Sequence, residues 1–494
     1  MVGSFLLSAL LMFGTADPVP GPKDAVSYKK LGDEHVAKDE VRKAADAYEQ
    51  ALVLGRAEFT ADECVRMAVV LSWDDRLKSA IRELSLVLAR DPGNLTAKVQ
   101  LARIYAWDGQ LTRALDEADT VLMVAPNDPE TLLVKANALE WDDRFNEAIS
   151  IYRRIIDRND DFYARIGLVS STLYKGDRAD ALQMARTLKA SNPREERALG
   201  RLSDAIDRET RPRMQAGYDF YSDSDENHFG RYSARYAITV GNQDLAVNLG
   251  RTQIDGGMHA DDAGFEADFN APGRLGLAAG IGVSRQDDGA RVVHFPTGHL
   301  RLHGRFFRTS ISAIASSEML NETSQLISNH VRRLSAGAEL AQKITPRWSV
   351  AGGYTRMNFS DDNRANDAQA RTEFAVVLAP RITLGYQARF ADYALQSGSG
   401  FFDPSDLVSH RVSAAVDLEG RKVFAFVQIF GGHQEFTRNA FHTSEWAKGG
   451  RATFGFKANE KLTIEVNTTA GDFVTGSVTG FGYFTAGSRV SYRF

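Results

Sequence analysis

One cysteine, Cys64, stands in a chain of 494 residues. A lone thiol forms no internal disulfide, so the fold is not a disulfide scaffold. Its place in a helical pattern predicts burial as a small apolar side chain. No run of about eighteen apolar residues occurs, which argues against a transmembrane helix. A membrane β-barrel escapes that test, because only alternate residues of its strands need be apolar. The formal charge of −5 is small and names no partner; no nucleic-acid partner is indicated. Catalytic motifs are missing as well: no Gly-x-Ser-x-Gly elbow, no His-Glu-x-x-His pair and no phosphate-binding Gly-Lys-Ser/Thr loop. His294, His299 and His303 are close in sequence but alternate faces, so no metal site is expected. The chain reads as a non-enzyme with no cofactor.

What is present changes character halfway. The first half is rich in Ala, Leu, Asp, Glu, Lys and Arg; the second is rich in Gly, Ser, Thr, Phe and Tyr. Residues 1–16 read as a secretory signal, with an apolar core from Phe5 to Phe13 and a small-x-small site at Gly14-Thr15-Ala16. Residues 17–26 read as a linker stiffened by Pro18, Pro20 and Pro22.

From about Asp24 the pattern is helical and it repeats. Trp73, Trp107 and Trp141 are spaced 34 residues apart and open Trp73-Asp74-Asp75, Trp107-Asp108-Gly109 and Trp141-Asp142-Asp143. Seven residues after each Trp comes Ala80, Ala114 or Ala148; Ala37 with Ala44 and Tyr174 with Ala181 extend the frame. A 34-residue unit with small residues where helices cross, and Pro near the end of the second helix (Asp91-Pro92, Ala125-Pro126, Asn192-Pro193), resembles the tetratricopeptide repeat. About five repeats are expected over 27–208. The Ala is small so that two helices can approach, and the Trp is expected to fill the gap beside it; sugar stacking is the alternative role for the Trp. Lys98, Arg103 and Lys135 are candidates for an exposed binding face.

From Arg213, within a barrel domain read as 209–494, the period is two. In Phe484 to Phe494 one face carries Phe484, Ala486, Val490, Tyr492 and Phe494, and the other Thr485, Gly487, Arg489, Ser491 and Arg493. About ten such residues, tilted, cross a bilayer. This stretch resembles the last strand of bacterial outer-membrane barrels, which ends in Phe and is read by the barrel assembly machinery. About sixteen strand-like segments follow one another over 209–494. Short turns at Gly241-Asn242-Gln243, Ala271-Pro272-Gly273, Thr345-Pro346, Ala379-Pro380, Glu419-Gly420 and Asn459-Glu460 alternate with polar stretches near 222–228, 253–260, 286–291, 318–329, 360–368, 395–407, 435–447 and 471–480. Those stretches are expected to be long loops. The fold class is therefore α + β in two domains: a repeat α-solenoid followed by an antiparallel transmembrane barrel of about sixteen strands.

Alternation assigns faces, since an Arg or Lys facing lipid at midplane costs about 2–4 kcal/mol. Arg231, Arg235, Arg308, Arg333, Arg371, Arg381, Gln387, Arg389, Arg411, Arg451, Arg489 and Arg493 are expected to line the lumen. Inward acids are fewer (Glu339, Glu373, Asp417 and Glu465), so a net positive wall is one expectation and a mutually neutralised one the other. Residues 422–430 are apolar on both faces and leave Gln428 unassigned.

One polar stretch stands apart. Phe401-Phe402-Asp403-Pro404, within Gly398 to Leu407, resembles the Gly-Tyr-Phe-(Ser/Asp)-Pro stretch of cellulose-export and related exopolysaccharide-export porins. The Trp-Asp-Gly/Asp repeats also resemble proteins that carry a YaiO-like outer-membrane barrel. The resemblance implies an outer-membrane channel, with its repeats in the periplasm, that exports a secreted polysaccharide. Its implied partners are outer-membrane lipid and lipopolysaccharide, the polymer, and synthase proteins of the periplasm or inner membrane held by the repeats. An envelope scaffold and a passive anion-preferring porin are the alternatives.

Overall fold

The computed structural model describes residues 24–271, 275–378, 380–472 and 482–494. The expected signal, linker residues 17–23, the middle of the Ala271-Pro272-Gly273 turn, Ala379 and most of the 471–480 loop lie outside the described residues. Two compact units divide between Leu139 and Glu140.

Eleven helices come first: α1 (Ala25–Ala37), α2 (Val41–Gly55), α3 (Ala61–Trp73), α4 (Leu77–Arg90), α5 (Leu95–Trp107), α6 (Leu111–Val124), α7 (Pro129–Trp141), α8 (Phe145–Ile156), α9 (Phe162–Tyr174), α10 (Arg178–Ala185) and α11 (Pro193–Thr210). Their punctuation is local chemistry. Asp24, Thr60, Asn94 and Asp161 cap α1, α3, α5 and α9 by accepting from backbone N–H groups of the first turn. Between the two helices of each pair one residue takes positive φ: Asp39, Asp75, Gly109, Asp143 and Gly176. Gly and Asp tolerate that conformation best, which explains the third residue of the Trp-Asp-Asp/Gly motif. Asn192 and Pro193 differ from the expectation, since they open α11 as its cap and first residue rather than closing a helix.

Ala80, Ala114 and Ala148 are fully buried. The tryptophans are not: Trp73, Trp107 and Trp141 remain 55%, 43% and 47% exposed. Each is the last residue of its helix, where the chain turns away and half of the neighbours that an interior position would have are missing. The interhelical gap is closed instead by residues such as Leu71, Leu84, Tyr105 and Leu139. Cys64 is buried.

Sixteen strands follow: β1 (Arg213–Asp223), β2 (His228–Val240), β3 (Gln243–Ile254), β4 (His259–Phe269), β5 (Gly276–Asp287), β6 (Val292–Phe306), β7 (Thr309–Met319), β8 (Arg332–Lys343), β9 (Trp348–Phe359), β10 (Arg364–Leu378), β11 (Arg381–Tyr393), β12 (Ser405–Glu419), β13 (Val423–Arg438), β14 (Phe441–Lys457), β15 (Leu462–Gly471) and β16 (Tyr483–Arg493). Every neighbour pairs antiparallel, and β1 pairs with β16 to close the barrel. A belt of outward side chains, among them Tyr236, Leu249, Ile281, Leu300, Leu340, Tyr354, Leu384, Val412 and Phe454, is apolar and more than 40% exposed. That is the surface a bilayer covers.

The loop expectations need correcting. At 435–447 there is no long loop; β13 and β14 run on to a two-residue turn at Asn439-Ala440, both at positive φ. At 222–228, 253–260, 286–291 and 360–368 the strands likewise extend, leaving connections of only four residues. Strand ends that rise beyond the membrane meet water on both faces. They lose the apolar alternation while keeping the hydrogen-bond ladder, so they read as loops. β6 ends at Phe306, and a turn at Phe307-Arg308 leads into β7. Among the described residues, the long connections on that rim are 320–331 and 394–404.

Candidate functional site

Both long connections fold into the lumen. The first holds a short helix, α12 (Ser324–Asn329), capped by Thr323, which accepts from the Leu326 N–H. Leu326 and Ile327 are fully buried. Ile327 packs on Ile254 and Ala260 from β3 and β4. Leu326 packs with Met357, Phe359 and Ala365 from β9 and β10 and with Phe401 of the second connection. Phe401 stacks on Phe359 with ring centres 4.5 Å apart, and Phe402 meets Phe436 edge-on at 5.4 Å. Polar groups tie the layer to itself and to the wall. Thr323 donates to the Gly400 carbonyl at 3.1 Å, and Asn329 to the Ser399 carbonyl at 3.2 Å. Gln286 donates to the Leu320 carbonyl at 2.8 Å, and Arg231 to Asn321 at 2.8 Å. Gly400 sits at φ +103°, and a Cβ there would approach Gln325 to 2.8 Å, so only Gly lets the connections touch. Asp403 is buried and accepts from the Ser397 N–H at 2.6 Å; burial nevertheless pushes its carboxyl above the usual carboxylate range. Pro404 accepts from the Tyr393 N–H. The two connections, rooted a quarter-turn apart on the wall, thus cap one end of the lumen together. Their signal in the sequence was Leu326-Ile327 and Phe401-Phe402, apolar pairs inside polar stretches.

Below the cap the wall is polar. Arg235 pairs with Glu266 at 3.0 Å, Arg333 with Glu318 at 2.8 Å, Arg371 with Glu339 at 2.8 Å and Arg389 with Asp367 at 2.6 Å. Glu266, Glu318 and Asp367 were missed as inward acids; Asp367 falls in the 360–368 stretch expected as loop. Arg411 donates to Gln387, which donates to Gln369 at 3.1 Å. Arg381 starts β11 opposite Asp417. Arg381, Arg451, Arg489 and Arg493 have no carboxylate within 4 Å among the described residues. Arg308 is a correction: it lies in the β6–β7 turn, outside the strands, and pairs with Asp142. Lys343 reaches Asp143 at 2.8 Å and Arg178 reaches Asp244 at 2.8 Å, so the turns before α8 and α10 meet the short-turn rim.

The unassigned stretch 422–430 resolves into a feature of its own. Val423, Val427 and Ile429 face outward and are exposed. Phe424, Phe426, Gln428 and Phe430 face the lumen, and Phe436 continues the row to Phe402 beneath the cap. A Cβ at Gly455 or Gly449 would run into the ring of Phe424 or Phe430, so these rings lie flat against bare backbone of β14. A cation from a neighbouring strand accompanies each: Lys457 at 5.5 Å from the Phe424 ring centre, Arg451 at 4.9 Å from Phe426 and Arg411 at 4.9 Å from Phe430. A cavity of about 580 Å³ opens onto Phe430, Gln428, Arg411, Arg451 and Tyr483. One of about 660 Å³ opens onto Arg333, Glu339, Asp367, Arg389 and Arg411. No group of three or more His, Cys, Asp or Glu able to hold a metal occurs among the described residues.

In the repeats, Arg103 pairs with Glu130 at 2.7 Å and Lys135 with Asp119. Both cations are therefore engaged within the repeat surface.

Residues 74–138 match the tetratricopeptide repeat family. Among solved structures, a bacterial polysaccharide outer membrane secretin is similar at 10% identity over 58% of this chain and 99% of its own, with a TM-score of 0.49. CdiB from Acinetobacter baumannii is similar at 12% identity over 57% and 60%, with a TM-score of 0.39. MamA from Desulfovibrio magneticus RS-1 is similar at 15% identity over 37% and 97%, with a TM-score of 0.29. No curated protein matches the chain. The chain joins tetratricopeptide repeats to a closed sixteen-stranded barrel with an apolar outer belt.

Proposed function

We propose that this protein is an outer-membrane conduit for a secreted polysaccharide, with its repeats in the periplasm as the docking site for synthesis or export proteins. The observation that carries the reading is the row Phe424, Phe426 and Phe430 with Lys457, Arg451 and Arg411 beside it. Successive sugars would pass along this row, their hydroxyls or carboxylates exchanging hydrogen bonds with the cations that the rings hold in place and with Gln428. Many weak contacts let a polymer slide where one strong site would hold it. No chemistry is asked of the chain. The cap of 320–331 and 394–404 must move aside for the polymer to leave.

The test is conductance of the purified protein in planar bilayers, with the cap opened by Phe401→Ala and with neutral and anionic oligosaccharides as blockers. Block should occur, and its dwell time should fall at least several-fold in Phe426→Ala/Phe430→Ala. Conductance indifferent to every sugar would overturn the reading. The buried cap favours one second reading, a closed barrel that anchors the repeats as an envelope scaffold. Silence of both the native and the Phe401→Ala protein after confirmed insertion would support it.

A further inference from the structure

Two sets of charged side chains on the outward face near the long-connection rim differ from each other. On β3–β5, Arg251 pairs with Asp261 at 2.6 Å, and Arg285 with Asp261 at 3.1 Å and Asp287 at 3.0 Å. That set neutralises itself. On β8–β10 stand Arg332, Arg356 and Arg364. They share a face with Leu334, Tyr354 and Phe374, all about half exposed to the surrounding medium. The register sets Leu334, Asn358 and Arg364 side by side, and Ala336, Arg356 and Asn366 on the next level down. Strand spacing then puts the Cα atoms of Arg356 and Arg364 about 8 Å apart, and those of Arg332 and Arg364 about 12 Å apart.

Among the described residues no carboxylate lies within 4 Å of these three guanidinium groups. Arg356 donates to the Asn366 side-chain carbonyl at 2.8 Å, and the Tyr354 hydroxyl donates to the same oxygen at 2.7 Å. That aims one cation without neutralising it. The nearby acids are Asp361 and Asp362, in the turn beyond the strand ends, and Asp392 on β11. Asp361 accepts from the Asn363 N–H and Asp392 from the Asp406 N–H. Toward the membrane midplane the same face turns apolar through Tyr354, Leu340, Leu384 and Phe390, each at least 44% exposed.

We infer that Arg332, Arg356 and Arg364 form a site for the phosphate groups of lipopolysaccharide, whose acyl chains lie along the apolar face below. An outward arginine at this height is costly against acyl chains and favourable against phosphate, which the guanidinium fork matches in shape and charge. The site is independent of the cargo of the lumen. It rests on the barrel standing in the outer membrane with its long-connection rim outermost.

The test uses the full chain reconstituted with bisphosphorylated lipid A, monitoring lipid retained per barrel by native mass spectrometry. Wild type should retain it, and the triple variant Arg332→Gln/Arg356→Gln/Arg364→Gln should bind about 100-fold more weakly. The triple Lys variant should keep most of the binding, and dephosphorylated lipid A should be lost from all. Inorganic phosphate and phosphatidylglycerol at equal concentration should not compete. Equal retention by wild type and the Gln variant overturns the proposal, as does equal retention of the dephosphorylated lipid or displacement by phosphatidylglycerol. Orientation is read separately: Asn439→Cys should react with an impermeant maleimide on intact cells. Sugar block of the Gln variant should equal wild type, which separates this site from the conduit.

Discussion

Phe401→Ala tests whether the lumen is capped as described. Phe401 is 2% exposed and sits between Phe359, Tyr393 and Leu326, at the seam where the two connections meet. Truncating a buried Phe costs about 3–5 kcal/mol. The wall strands are held by their ladders, so the loss falls on the packing of 394–404 against 320–331. At a factor of ten per 1.4 kcal/mol, the ratio of open to capped barrels should rise about 100- to 4,000-fold. Hydrogen bonds from Thr323 and Asn329 to the carbonyls of Gly400 and Ser399 remain, which makes this an upper range. Single-channel recording reads the ratio directly as open time. A pair of cysteines at Gln325 and Gly398 should reverse the gain on oxidation, since the native Cys64 is buried and does not compete. If Phe401→Ala opens no more often than wild type, and reduction of the engineered disulfide changes nothing, the cap does not control passage and the reasoning fails.

Three further outcomes follow from the same structure. Burial holds the Asp403 carboxyl above its ordinary 3.8, so capping takes up a proton. The cap is therefore firmest below about pH 4 and loosens as pH rises through the raised value; open time should climb with pH, and Asp403→Asn should flatten the dependence. Glu83 is 3% exposed and accepts from Arg56 at 2.8 Å. Arg82 also reaches Glu83 at 3.1 Å, so Arg56→Ala/Arg82→Ala together strand that carboxylate and should destabilise the repeats by about 3–5 kcal/mol, seen as a lowered repeat melting transition with the barrel transition unchanged. A Cβ on Gly167 would run into the fully buried ring of Tyr152. Gly167→Ala should cost about 1–3 kcal/mol by overpacking, and adding Tyr152→Phe should not rescue it, because ring carbons as well as the hydroxyl are in the way.

The repeats and the barrel were legible because both announce themselves by period. A 34-residue frame survives any change of surface residue, and a bilayer enforces alternation for as long as a strand is inside it. The failures mark where those constraints stop. Above the bilayer β13 and β14 keep pairing through His433, Gln434 and Glu435, yet nothing there demands an apolar face, so a hairpin passed for a loop. The tryptophans had the right spacing and the wrong environment, since period locates a residue along a helix without showing how close it lies to the helix end. Ion pairs such as Arg389 with Asp367 join residues 22 apart and depend on register, which alternation alone does not set. The phenylalanines of β13 were hidden by the valines and isoleucines between them, because a strand greasy on both sides gives no parity to read.

The seam between β1 and β16 has a consequence for how the molecule is made. Arg213 lies opposite Arg493, so the ladder that finishes the cylinder joins positions about 280 residues apart. The helical pairs need only near neighbours and can form as soon as they emerge. The cylinder has two raw edges until β16 joins β1, and those edges invite pairing with any passing strand. Synthesis order thus builds a finished handle before an unfinished ring. The interval in between, when one end is folded and the other is sticky, is the period in which this chain most needs a chaperone.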